Sequence, residues 1–226
     1  MQNSYKRIDA HRSSLGYCTS SEAKKFLRIF ELTVNDKRVF DTSIKAYHND
    51  IKVNNEVLDP EIITILLNKP SGFICSHNDA GSLIYALIPS RWNRRNPKIS
   101  TIGRLDVDTT GAIILTDDGA LNHKLSSPKS DVSKIYEATL AVPLNGDEKE
   151  IFASGELMLN GEKKPLLPAV LEVISETHVR LEICEGKYHQ VKRMFAAVGN
   201  RVLSLHRVSF GGFMVDDLKE GEYKFI

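Results

Sequence analysis

Cysteine is scarce in this 226-residue chain: Cys18, Cys75 and Cys184 are odd in number, far apart, and form no C-x-x-C pair. That argues against a disulfide framework and against a zinc site, and it fits a reducing compartment. Long apolar runs are missing too. No stretch approaches the ~18 uncharged apolar residues of a membrane span. The opening MQNSYKRIDAHRSS lacks the apolar core of a signal peptide. The expectation is a soluble, cytoplasmic protein with no membrane partner. Phosphate-binding loops and metal-ligand clusters are also absent from the sequence, so no metal or other cofactor is expected. What is present suffices for folding: the length suits one large domain, or a medium one with a small companion, and supports a core without staples.

Net charge is nearly absent as well, at +1, but its distribution is uneven. Residues 91–104 hold Arg91, Arg94, Arg95, Lys98 and Arg104 with no acid. Residues 186–207 hold Lys187, Lys192, Arg193, Arg201 and Arg207, again with no acid. Two such windows are able to build a positive face for a nucleic acid on a near-neutral molecule; read separately, each is equally a solvated surface.

Residues 1–60 read as a small separate module. SSEAKKFLRIF is a helix by the spacing of Ala23, Phe26, Leu27 and Phe30, with Ser20 or Ser21 as its cap. Short alternating runs at Leu32 to Val34 and Ile51 to Val53 each end in a pair, Asn35-Asp36 and Asn54-Asn55, that tolerates the positive φ of a hairpin turn. Asp59-Pro60 breaks the pattern and marks the boundary. Residues 61–226 are strand-rich, with apolar or alternating runs at IITILLNK, AIILT, KIYEATLAV, AVLEVIS and HVRLEIC. One helix stands out, HQVKRMFAAVGN, with Val191, Met194, Phe195 and Val198 on one side and His189, Lys192, Arg193 and Ala196 on the other. Gly199 stops it. The order argues for an α+β fold.

Three segments put reactive side chains where a core would not want them. Two glycines bracket the charged run Gly103-Arg104-Leu105-Asp106-Val107-Asp108-Thr109-Thr110-Gly111, which leads straight into AIILT; this is a loop shaped to present something, or an ordinary polar connection. If extended, it carries Asp106 and Asp108 on one side. In Lys134-Ile135-Tyr136, the lysine and tyrosine share one strand face, where the ring either stacks on a base or fills core. The helix gathers His189, Lys192 and Arg193 within one turn, as a site or as a solvated basic face.

Together, GRLDVDTTG, KIY and GKYHQVKRMFAAVGN resemble, in chain order, the three signature segments of the RsuA branch of pseudouridine synthases, and ILLNKPSG resembles the opening of that branch's catalytic domain. The likeness runs from about Ile65 to Phe210. It implies a catalytic domain over 61–226 built on a mixed, mainly antiparallel β-sheet with flanking helices. It implies Asp106 as the essential aspartate, Tyr136 as the base-stacking tyrosine and Lys192 as the cation beside the aspartate, with Arg193 close enough to compete. Arg104 matches the arginine that fills the gap left by the flipped nucleotide, and His189, Gln190 and Arg193 are further RNA contacts. Asp108 has no comparable role. The Tyr-His-Gln-Val-Lys-Arg-Met form resembles enzymes of small-subunit RNA. It implies isomerisation of one uridine in 16S ribosomal RNA, uridine 516, in naked RNA or a partly assembled particle, by a monomer. Residues 6–59 more weakly resemble the small RNA-binding module shared with a ribosomal protein, with Lys24, Lys25 and Arg28 as candidate backbone contacts.

The implied chemistry needs these residue types. A base joined to ribose through N1 must be detached, turned and rejoined through C5. A carboxylate either attacks C6 or C1′ or takes a proton from C2′, and must be ionised to do so, which a neighbouring cation favours. Flipping the nucleotide costs a few kcal/mol, and stacking on an aromatic ring, worth ~1–3 kcal/mol, offsets part of that. The rivals are a synthase of large-subunit RNA, a non-catalytic RNA-binding assembly protein, and a glycoside hydrolase using Asp106 and Asp108.

Overall fold

The computed structural model describes residues 3–127 and 130–226, without the side chains of Ser20, Ala23 and Lys24. The elements begin with β1 (Tyr5–Arg7), α1 (Ile8–Ser14), α2 (Ala23–Ile29), β2 (Leu32–Val34), β3 (Lys37–Arg38), β4 (Lys45–Tyr47), β5 (Ile51–Val53) and β6 (Glu56–Val57). There follow β7 (Thr64–Lys69), β8 (Ser100–Ile102), β9 (Thr110–Thr116), α3 (Gly119–Ser126), β10 (Lys134–Leu140) and α4 (Glu148–Ala153). The chain ends with β11 (Val170–Val173), β12 (His178–Ile183), α5 (Gln190–Ala197), β13 (Val202–Phe210), β14 (Phe213–Met214) and β15 (Tyr223–Phe225). Helices and strands are not in regular alternation, and the fold is α+β.

The chain divides into two compact units. One holds the chain up to Thr64 with Tyr85–Ser100 and Leu115–Asn122; the other holds Ile65–Ile84, Thr101–Ile114 and His123–Ile226. In the first, Ile8, Leu15, Phe26, Leu32 and Ile51 form a buried cluster. Both hairpins turn where the sequence places them: Asn35, Asp36, Asn54 and Asn55 all have φ between 49° and 65°, the left-handed region that asparagine and aspartate tolerate. The cap of α2 differs from expectation. Its N-cap position is Glu22, which makes no side-chain capping bond; the Glu22 carboxylate instead accepts from the amide and the hydroxyl of Thr19 at 2.9 Å, closing the short turn that leads into the helix. The Ser20 alternative and the Lys24 contact fall on side chains outside the described residues. Lys25 and Arg28 are exposed.

The first basic window is not a continuous solvated face. Arg95 is 2% exposed; its Nε donates to Asp117 Oδ2 at 2.7 Å, and its Nη2 donates to the carbonyls of Pro60 and Glu61. Arg91 grips Asp59 through two nitrogens at 2.8 and 2.9 Å, and Trp92 Nε1 donates to the same carboxylate. These bonds explain why Tyr85–Ser100 belongs with the N-terminal residues, which a reading by composition could not see. One cluster of metal-ligand types also forms here, His11, His48 and Glu61, with candidate ligand atoms within 4.8 Å of one another. Lys6 Nζ stands 3.3 Å from Glu61 Oε1. Burial alone would raise that carboxylate, but bonds from Ser4 and Lys6 hold it down to about 2, so its charge is already matched.

The second unit is organised by a sheet in the order β11-β12-β10-β13-β9-β7-β15, with β14 beside β13 and β8 beside β9. Its pairs β11/β12, β12/β10, β10/β13 and β7/β15 are antiparallel, and β13/β9 is parallel. In β10 the burial alternates, with Tyr136, Ala138 and Leu140 on the buried face. On α5, Val191, Met194 and Phe195 are buried, and Phe195 meets Phe152 of α4 edge to face at 5.3 Å.

One glycine fixes the approach of two central strands. Gly111 has φ +105°, and a Cβ there would stand 2.2 Å from the Arg207 carbonyl oxygen and 2.7 Å from its nitrogen. Gly111→Ala is expected to cost roughly 3 kcal/mol or more, because the conformation and the space both forbid a side chain. Urea unfolding measures it; a cost under about 1 kcal/mol would show that the strands yield.

Candidate active site

The loop between β8 and β9 is held from beneath by a lysine. Lys69, 0% exposed at the end of β7, donates through Nζ to the carbonyls of Pro70, Asp106, Val107 and Thr109 at 2.8–3.2 Å. The Gly72 N–H adds a hydrogen bond, donating to the Val107 carbonyl at 2.8 Å. Burial pulls the Lys69 ammonium below the usual lysine range, while four carbonyl dipoles satisfy the charge it keeps. The loop is not extended: Thr109 N–H donates to the Asp106 carbonyl at 3.2 Å, closing a turn. The sequence carries no local sign of this role: Lys69 closes a buried strand directly after the polar Asn68, and the carbonyls it serves come together only in the fold.

On that platform Asp106 meets two groups from the start of α5. Lys192 Nζ lies 3.2 Å from Asp106 Oδ2, and His189 Nε2 lies 3.3 Å from Oδ1. His189 reaches it because its backbone is left-handed, φ 48°, a conformation uncommon outside glycine. Lys192 is nearer still to Asp108 Oδ1, at 2.7 Å. Burial would lower the Lys192 ammonium, but its bonds to Asp108 and Asp106 hold it above the usual value. The bond from Lys192 correspondingly depresses Asp108. Asp108, given no role from sequence, therefore shares the cation.

Asp106 and Tyr136 line one cavity of about 430 Å³, together with Arg104, Lys134, His189 and Arg207. Tyr136 is 8% exposed, and its hydroxyl accepts from Arg207 Nη1 at 3.4 Å. Lys134 lies on the same strand face, as the alternation requires, and burial and the Arg207 charge lower its ammonium. Arg104 is exposed at the rim. Lys192 is not part of the lining; it braces Asp106 from outside the cavity.

The remaining expected residues go elsewhere. Arg193 does not compete for Asp106: Nη1 donates to Glu162 Oε1 at 2.9 Å and to the Tyr188 carbonyl, and Nη2 to the Asn160 carbonyl. Gln190 is 4% exposed; its amide accepts from Lys187 N–H at 2.9 Å and donates to Glu185 at 3.0 Å, so it shapes the loop before α5. Arg207, counted from sequence only as part of a basic window, is 2% exposed at the cavity wall.

Comparison with known proteins shows the family. Residues 63–197 match the family described as RNA pseudouridylate synthase. The ribosomal small subunit pseudouridine synthase A of Escherichia coli is 49% identical over 163 residues, 70% of this chain and 68% of that one. Its namesake from Vibrio cholerae is 47% identical over 216 residues, 92% and 90% of the two chains. A crystal structure of a pseudouridylate synthase superposes with a TM-score of 0.69 at 40% identity, covering 98% of this chain and 96% of that one. The chain belongs to the RNA pseudouridylate synthase family, in its RsuA-type branch, and is an RNA isomerase.

Proposed function

We propose that this protein isomerises a single uridine of 16S ribosomal RNA, uridine 516, with Asp106 as the reacting carboxylate. The observation that carries this reading is the pairing of Asp106 with Lys192 and His189 at the wall of a cavity that also holds Tyr136. The names of the relatives support the small-subunit RNA as substrate. The flipped uridine enters the cavity, its base lies against Tyr136, and Arg104 at the rim takes the vacated place in the RNA stack. Lys192 pairs with one oxygen of the Asp106 carboxylate, and His189 meets the other. The carboxylate then attacks C6 or C1′, or takes a proton from C2′; the N1–C1′ bond breaks, the base turns and rejoins C1′ through C5, and the proton lost from C5 is balanced by one taken up at N1.

Residues 1–60 act as an RNA-binding module in this reading, with Lys24, Lys25 and Arg28 on the phosphate backbone. The protein works as a cytoplasmic monomer on free or partly assembled small-subunit RNA, without a cofactor. Tritium release from 16S RNA carrying 5-tritiated uridine tests the reading. One equivalent released per RNA is expected, together with an unmodified position 516 in a deletion strain. Release from large-subunit RNA alone would reassign the substrate, and no release from either would favour a non-catalytic assembly protein.

A further inference from the structure

Two polar atoms of the cavity-lining residues have no partner among the described residues: Arg207 Nη2 and Thr109 Oγ1. Both residues are almost wholly buried, at 2% and 0% exposure. Arg207 donates from Nε to the Ala112 carbonyl at 2.6 Å and from Nη1 to the Tyr136 hydroxyl at 3.4 Å. No carboxylate stands within salt-bridge distance of it among the described residues. A buried guanidinium without a counter-charge is costly, and orphaned buried donors call for an explanation. Nor is Arg207 free to drift, because its backbone is pressed against Gly111. It is a fixed cation at the wall of the Asp106 cavity, lying over the Phe210 ring at 4.9 Å from its centroid but with no anionic partner among the described residues.

The missing partner matches what the substrate develops. Resting on the proposed isomerisation, all three routes place an electron pair on the uracil ring. Attack at C6 forms the carboxylate–C6 bond and moves the C5–C6 pair onto O4 as an enolate. Attack at C1′, or elimination at C2′, breaks the N1–C1′ bond and leaves its pair on the ring, shared between N1, O2 and O4. No oxidant or reductant is involved. We propose that Arg207 Nη2 donates to a ring carbonyl oxygen of the flipped uridine, with the Thr109 hydroxyl as a second polar contact, and so holds the anionic base while it turns. Preorganised donors aimed at developing charge are among the strongest catalytic devices.

The test pairs a protein change with an atom change in the RNA. Single-turnover product formation is measured for the wild type, Arg207→Gln and Arg207→Lys. The target is uridine, 2-thiouridine or 4-thiouridine, sulfur being a poor acceptor. Arg207→Gln is expected to slow the uridine reaction by about 10²-fold. One thio substitution is expected to slow the wild type comparably, and the variant is expected to lose little more on that same RNA, since the contact is already gone. Arg207→Lys restores part of the rate. Effects that multiply at both oxygens would overturn the proposal, as would an Arg207→Gln rate equal to wild type. The absence of any thio effect in the wild type would do so too, even if both variants unfold. A wild type inert on ordinary uridine would instead sink the isomerisation reading beneath it.

Discussion

Replacing Asp106 with asparagine is expected to lower turnover by about 10⁴-fold or more while leaving RNA affinity within a few-fold. The amide keeps the volume and some of the hydrogen bonding to Lys192 and His189, but it is neither an ionised nucleophile nor a base. The loop should keep its shape, because Lys69 and Gly72 hold it through backbone carbonyls rather than through the Asp106 side chain. Affinity should persist because RNA binding is carried largely by phosphate contacts elsewhere. Tritium release and filter binding separate the two effects. Turnover within tenfold of wild type would remove Asp106 from the chemistry.

Lys192→Met should be the second most damaging change, lowering kcat by about 10²–10³-fold. Without the ammonium, Asp106 keeps His189 alone, and Asp108 loses its partner, so two carboxylates that shared one cation are left without it. Lys192→Arg should recover part of the loss, because it returns the charge with different geometry. Arg193→Met is the control. Its guanidinium is bound to Glu162 and two carbonyls, so kcat should stay within a few-fold. If Arg193→Met proves the crippled variant and Lys192→Met does not, the cation beside Asp106 has been misidentified.

Much of this site is legible in the residues alone, and the rest is hidden for physical reasons. The turn pairs Asn35-Asp36 and Asn54-Asn55 announce their own conformation, since few residues accept it. The apolar side of α5 follows from helical spacing, and so does the placement of Lys192 on the opposite side. Tyr136 and Lys134 share a face because a strand alternates. What the sequence does not display is which partner a charge takes in space. Lys192 and Arg193 are neighbours in sequence and equal in charge, yet one meets Asp106 and the other Glu162, 31 residues upstream of it. The basic windows mislead for the same reason: Arg95 and Arg207 read as surface but are buried. Asp108 gives no local sign that it would share Lys192, and Lys69 reveals its role only once the carbonyls it serves are folded around it.

A crystal structure of the Asp106→Asn protein bound to a 16S RNA fragment spanning the target uridine tests the central claim most directly. The account predicts one uridine extruded into the cavity, its ring against Tyr136, with C1′ or C6 within about 4 Å of the residue-106 side chain. A uridine still stacked in the RNA, or one bound away from Tyr136 and residue 106, would contradict it.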